Sequence, residues 1–168
     1  IPEPERIEKG VYDPRLITLS DPGSVASEQF RKLRTKIHRL NVSTGLRTVM
    51  VARSTNGEGK SFIAANLGVT LARDLHTRAL LVDCDLRNPT LTNWFGLQNG
   101  NGLSNYLKGN NGFGEFSRET GIEKLRIVTA GSIENNPTEL IGSNRMKALV
   151  EDLGSRDKSQ IVIFDSTP

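Results

Sequence analysis

Between the apolar run Val49-Met50-Val51-Ala52 and a stretch of helical spacing from Ser61 to Arg73, the chain reads S-T-N-G-E-G-K-S, Ser54 to Ser61. A Gly-rich turn between a strand and a helix aims several backbone N–H groups at one point, and the helix N-terminus adds partial positive charge there. In such a turn the Lys60 ammonium reaches the β- and γ-phosphates of a nucleotide, and the Ser61 hydroxyl can ligate Mg2+. The common pattern opens on Gly; here Ser54 holds that position, so the match rests on Gly57, Gly59, Lys60 and Ser61. The competing assignment is an ordinary Gly-rich turn with an exposed lysine. The strand before and the helix after are the context a phosphate-binding loop demands. They commit this part of the chain to strand, turn and helix in immediate succession.

A chain of 168 residues with 36% hydrophobic residues can bury one real core. No apolar run approaches the roughly eighteen residues of a membrane span, and the opening I-P-E-P-E-R-I-E-K-G has no apolar core of the kind a signal peptide needs. The single cysteine, Cys84, excludes an internal disulfide and suits a reducing compartment. Two histidines and one cysteine cannot build a zinc-type ligand cluster. A net charge of +3 and an aromatic share of 5% argue against a nucleic-acid surface, and none is expected among the partners.

Residues 1–22 hold four of the seven prolines and no sustained period, which predicts an extended arm. Ser24 is placed to cap a helix from Val25 to about Leu40, with Phe30, Leu33, Ile37 and Leu40 on one face, broken at Thr44-Gly45. The spacing then predicts a strand over Arg47–Arg53, a helix over Lys60–Arg73 and a strand over Ala79–Asp83. Short helices follow at Leu91–Phe95 and Ser104–Leu107, then a strand over Leu125–Thr129. One helix is expected to start at Asn136-Pro137 and to carry Met146, Leu149, Val150 and Leu153 on its apolar face. A strand over Gln160–Phe164 closes the pattern. Strands alternating with helices imply an α/β fold: a parallel sheet covered by helices on both faces. Residues 23–168 are expected to form one domain.

Three carboxylates fall at the ends of predicted strands. L-L-V-D-C-D-L-R-N-P puts Asp83 and Asp85 after the second, and I-V-I-F-D-S-T-P puts Asp165 after the fourth. Ligands of parallel sheets bind beyond the carboxyl ends of the strands. Mg2+ takes one or two carboxylates together with water and phosphate oxygens. Any one of these residues is as readily a turn former or helix cap; three beside a G-K-S loop favour a nucleotide–metal site. A carboxylate two positions from a metal-bound partner can serve as a base. Cys84 is assigned to packing. Arg87 is placed either to contact a phosphate or to close a salt bridge at the loop, and the sequence does not choose.

These motifs together resemble the cytoplasmic domain of the bacterial tyrosine kinases of capsule and exopolysaccharide synthesis, within the MinD/ParA-like group of P-loop ATPases. The resemblance covers roughly residues 28–168. It is carried by N-G-E-G-K-S running into F-I-A-A-N-L-G-V-T-L-A, by the Asp83–Asp85 motif, and by the Asp165 motif. G-L-S at 102–104, N-P-T-E-L at 136–140 and the E-x-x-R-x-x-R pattern of Glu28, Arg31 and Arg34 add to it. It implies ATP held by the loop from Asn56 through Gly57, Glu58, Gly59, Lys60 and Ser61 to Phe62. It implies Mg2+ held by Ser61, Asp85 and Asp165, and catalysis by Lys60, Asp83 and Asp85, with Asp83 as base toward a tyrosine hydroxyl. It further implies a homo-oligomer joined through Glu28, Arg31 and Arg34, protein tyrosine substrates and a membrane-spanning activator. The expected place is the cytoplasm, at the inner membrane. On spacing alone, those three residues make a slanted polar stripe, and a solvated flank with an i, i+3 ion pair is the favoured reading of it.

Two features depart from the family pattern. Only Tyr12 and Tyr106 are present, with no tyrosine cluster, and the sequence stops three residues after Asp165, so a C-terminally incomplete domain is expected. Two other functions compete. A ParA/MinD-type positioning ATPase would ordinarily carry a lysine where Thr55 stands. A nucleotide-dependent scaffold would bind without transfer.

Overall fold

The protein is described from a computed structural model over residues 12–52, 59–109 and 112–166. Five strands form one sheet: β1 (Thr48–Val51), β2 (Arg78–Asp83), β3 (Ser117–Glu119), β4 (Leu125–Val128) and β5 (Gln160–Asp165). Their order across the sheet is β1-β5-β2-β4-β3. All neighbours run parallel except β3, which pairs antiparallel with β4. The last strand in sequence thus lies between the first two, a crossover that strand prediction alone does not specify.

Alternate residues of the central strands feed two cores, as a sheet buried on both faces requires. Ala79, Leu81, Leu125, Ile127, Ile161 and Ile163 face one layer. That layer is built from α1 (Ile17–Ser20), α2 (Val25–Thr44), α3 (Lys60–Ala72) and α4 (Leu91–Trp94). Leu80, Val82, Val128, Val162 and Phe164 face the other. There they meet α5 (Leu103–Lys108), a 3-10 turn at Phe113–Phe116, and α7 (Asn144–Arg156), with α6 (Pro137–Ile141) at the margin. The expected α/β sheet with helices on both faces is the observed fold.

Helix α2 starts where Ser24 predicts: its hydroxyl accepts the Ser27 N–H at 3.2 Å. It runs beyond Leu40 to Thr44 and stops at Gly45, whose N–H returns to the Asn41 carbonyl at 2.9 Å. Phe30 and Ile37 are buried, but Leu40 is half exposed, so the apolar face fades in the last turns. Helix α3 is buried almost all round, because α1 and α2 cover the side that the sheet does not.

Three expectations are corrected. Residues 12–22 are not an extended arm: they include the turn α1, and Leu16 within them is fully buried. The predicted single helix from Pro137 to Leu153 is two. Ser143 adopts extended backbone between them and its hydroxyl accepts the Met146 N–H at 3.2 Å, capping α7. Asn136 makes no side-chain cap, so α6 owes its start to Pro137 alone. Strand β3 was not anticipated, since S-R-E carries no apolar alternation. It is a short charged edge strand, pinned by the Arg126 guanidinium to the Ser117 hydroxyl at 2.7 Å.

Candidate functional site

The register of the sheet assembles the site. Val51 of β1 and Asp83 of β2 both stand opposite Asp165 of β5. Adjacent strands lie about 4.8 Å apart. The residue that leads into the loop and two carboxylates therefore form one row at the carboxyl edge. Backbone bonds hold the row: Cys84 N–H to Asp165 carbonyl at 3.0 Å and Ser166 N–H to Val51 carbonyl at 3.2 Å.

Gly59 precedes α3 with φ of 133°, a conformation that a side chain rarely tolerates. It turns the chain so that Lys60 and Ser61 open the helix. Lys60 is buried, and its Nζ finds no hydrogen-bond partner. Neither oxygen of Asp165 has one, nor does Asp83 Oδ2, although both residues are about 99% and 98% removed from solvent (1% and 2% exposed) in the order Asp83, Asp165. Unpaired buried charges are costly unless something compensates them. One orphaned ammonium facing orphaned carboxylate oxygens is the donor and acceptor set that a metal-bound polyphosphate would complete.

The electrostatics agree. Burial pushes Asp83 up to about 8; Asp165 and Asp85 raise it further, and the N–H groups of Asp85 and Leu91 pull it down. Burial likewise pushes Asp165 up to about 6, against the Ser61 hydroxyl and the Lys60 ammonium, which lower it. Ser61 thus lies beside Asp165 without closing a hydrogen bond to it. A cation at this edge would relieve the mutual repulsion of the carboxylates. Among the described residues, no three His, Cys, Asp or Glu side chains converge to hold a metal by themselves. Mg2+ does not need such a cage, because phosphate oxygens and water complete its shell.

The other predicted positions divide. Asp83 Oδ1 accepts the Asp85 N–H at 3.0 Å, and Asp85 Oδ1 accepts the N–H groups of Arg87 and Asn88 at 3.2 and 3.0 Å. Asp85 is therefore a turn former as well as a half-buried carboxylate at the edge. Arg87 is exposed. Cys84 is buried in the second core, and burial pushes its thiol up, away from reactivity. The Phe62 ring packs against Phe30 at 5.8 Å and is partly buried in the first core. Asn56, Gly57 and Glu58 lie outside the described residues. On α2, Arg31 pairs with Glu28 at 2.6 Å and bonds the Pro22 carbonyl, while Arg34 reaches the Thr70 carbonyl at 3.2 Å. The stripe stands well away in sequence from the acidic edge and is partly exposed.

A strand leading into a G-K-S helix, with acidic residues at two adjacent strand ends, is the pattern that comparison with known proteins recovers. The CbiA family, described as the CobQ/CobB/MinD/ParA nucleotide binding domain, matches residues 49–165. The chain belongs to this family of nucleotide-binding domains. Its relatives include the tyrosine-protein kinase YwqD of Bacillus subtilis, 37% identical over 154 residues that make up 91% of this chain and 63% of YwqD. Among solved structures, the BceF tyrosine kinase domain superposes with a TM-score of 0.79 at 33% identity, covering 91% of this chain and 60% of that one. The cell division ATPase MinD of Pyrococcus furiosus has a TM-score of 0.60 at 21% identity, covering 73% and 51%, and shows the shared fold alone. The chain spans about three fifths of the length of YwqD and of the BceF kinase domain. The resemblance drawn from the motifs is therefore borne out at the level of family and of named relatives.

The residues that motif inspection passed over are Asn66 and Thr18. Asn66 is fully buried in α3 and bonds the segment around Thr18. The signal available in the sequence is a lone amide in an otherwise apolar run, F-I-A-A-N-L-G-V.

Proposed function

We propose that this chain is the ATP-binding part of a protein-tyrosine kinase that acts on its own copies and on other proteins in exopolysaccharide or capsule export. The observation that carries the proposal is the row Val51–Asp165–Asp83 with the unpaired Lys60 ammonium buried above it. The names of the relatives support the choice of tyrosine as acceptor.

The loop amides and Lys60 hold the phosphates of ATP and stabilise the charge that develops on the transferred group. Ser61, Asp85 and Asp165 are the residues that would hold Mg2+, which neutralises phosphate charge and orients the phosphates when bound. Asp83 has one oxygen committed to the Asp85 N–H and one free, so it can orient an incoming hydroxyl and take its proton. The tyrosine oxygen bonds to the γ-phosphorus as the bond to the β-bridging oxygen breaks, and ADP leaves.

Glu28, Arg31 and Arg34 are proposed to join subunits of a homo-oligomer. A membrane-spanning activator is proposed to hold the assembly at the cytoplasmic face of the inner membrane; no helix among the described residues is long and apolar enough to cross a membrane. Residues 23–168 are proposed as the domain that carries the site, with residues 12–22 packed onto it.

Incubation of the full-length protein with γ-labelled ATP and Mg2+, followed by phosphoamino-acid analysis, tests the reading. Phosphotyrosine is expected. Release of free phosphate alone would instead identify a positioning ATPase, and bound ATP with neither product a scaffold. Asp83→Asn is expected to lower transfer by a factor on the order of 10² to 10⁴ while MgADP still binds. Undiminished transfer would remove Asp83 as the base.

A further inference from the structure

Asn66 lies six positions after Lys60 on α3 and is fully buried. Its Oδ1 accepts both the Thr18 N–H and the Thr18 hydroxyl at 3.0 Å, and its Nδ2 donates to the carbonyls of Arg15 and Phe62 at 2.9 Å. The amide has no second orientation, since a backbone N–H can only donate and the two carbonyls can only accept. All its bonding capacity is spent between α3 and residues 15–18. The Arg73 guanidinium bonds the Thr18 carbonyl from the far end of the same helix, and Leu16 is fully buried beside it. The segment 12–20 is thus fastened along α3, the helix whose first residues are Lys60 and Ser61.

The same segment also reaches the acidic wall. The Asp13 N–H donates to the Trp94 carbonyl at 3.0 Å, and the Arg15 guanidinium stacks 4.3 Å over the Trp94 ring. Trp94 ends the single turn α4, and that turn begins at Leu91, whose N–H faces the Asp83 carboxylate. At its outer end the Tyr12 hydroxyl donates to the Thr120 carbonyl at 3.1 Å. One strap therefore touches both elements that frame the site: α3 through Asn66 and α4 through Trp94.

We propose that Asn66 is a positioning residue and that the strap of residues 12–20 is energetically coupled to the nucleotide site. Docking of the strap sets where Lys60 and Ser61 stand relative to Asp83 and Asp165. A nucleotide that bridges those groups tightens the strap in return, because coupling between two sites is reciprocal. A partner or tether acting on the chain ahead of residue 12 would thereby change nucleotide affinity without touching the site. The inference rests on the nucleotide reading above and adds the means by which that site is regulated.

The test combines hydrogen exchange and calorimetric titration with MgADP on the full chain, for the unsubstituted protein, Thr18→Val, Tyr12→Phe and Asn66→Ala. Thr18→Val removes only the hydroxyl bond to Asn66, and Tyr12→Phe only the bond to Thr120, so both are expected to fold even if Asn66→Ala does not. MgADP should slow exchange at the N–H groups of Leu19, Ser20 and Asp21, which close the turn of α1, by about fivefold or more. It should leave α7 unchanged. Thr18→Val should speed exchange at those three amides and weaken MgADP by a similar factor. A merely structural Asn66 would raise exchange throughout the molecule and leave the α1 amides indifferent to MgADP. Unchanged α1 exchange on MgADP binding overturns the coupling, as does a variant whose strap exchanges faster yet binds MgADP as tightly. Failure of the unsubstituted protein to bind MgADP would instead overturn the nucleotide reading, and the coupling with it.

Discussion

Asp83 shows how far a residue's neighbours override its ordinary chemistry. Its sequence context, an apolar run ending in Asp, puts it at a strand end; the fold then removes it from water and sets Asp165 directly across from it. Both carboxyls are raised from the usual 3.8, to about 8 and about 6, so the folded chain keeps protons that the unfolded chain has lost. The stability these two groups contribute is complete below the unfolded value and drains as pH rises through the folded values. The nucleotide-free protein should therefore melt at a lower temperature at about pH 8.5 than at about pH 5.5. Asp83→Asn, neutral at both, should narrow that gap chiefly by raising the melting temperature at the alkaline end. A variant that loses as much as the unsubstituted protein between the two would contradict the assignment. Asp13, Asp74 and Asp157 are shifted downward and act only on the acid limb, below the usual carboxylate range.

At the scale of elements, caps and close contacts decide what periodicity cannot. Ser24 was legible as a cap because turn residues precede it and an apolar face follows. Ser143 was not, because Met146, Leu149, Val150 and Leu153 keep helical spacing whether the helix starts at Pro137 or at Asn144. Gly102, which opens α5, matters through close approach. A Cβ there would lie 2.1 Å from the Thr129 carbonyl oxygen and 2.7 Å from the Gly131 nitrogen. Backbone cannot yield as a flexible side chain does. The N–H groups of Leu103 and Ser104 bond the carbonyls of Thr129 and Ala130 at 2.8 and 2.9 Å, and those bonds must lengthen to admit a methyl group. Gly102→Ala should destabilise the protein by about 2 to 4 kcal/mol, from overpacking and lost hydrogen bonds together. Chemical denaturation measures it, and a cost under about 0.5 kcal/mol, the range of an indifferent surface substitution, would show that α5 can move off β4 freely.

For the whole molecule, the proposed assembly puts the polar stripe of α2 between copies. Arg31 is half exposed and spends its guanidinium on Glu28 and the Pro22 carbonyl, a local arrangement whose contribution to a single chain is small. If the stripe joins subunits, Arg31→Ala should move the full-length protein toward monomer in sedimentation velocity. Its melting temperature at low concentration should shift by no more than about two degrees. Assembly that persists in the variant would return Arg31 to the role of a solvated flank.

The local sequence determined the elements and the chemistry they carry. Hydrophobic period separates strand from helix, and the G-K-S run with aspartates after two apolar runs is the local pattern of a nucleotide-binding domain. Only the tertiary structure decided which strands are neighbours. Placing β5 between β1 and β2 is a long-range choice, made by burying both faces of the central strands at once, and it alone brings Asp165 opposite Asp83 and beside the start of α3. The docking of residues 12–20 is of the same kind. That segment has no period of its own, and its conformation comes from Asn66, Trp94 and the apolar slot that receives Leu16, groups distant in sequence that meet only when α3 packs on the sheet.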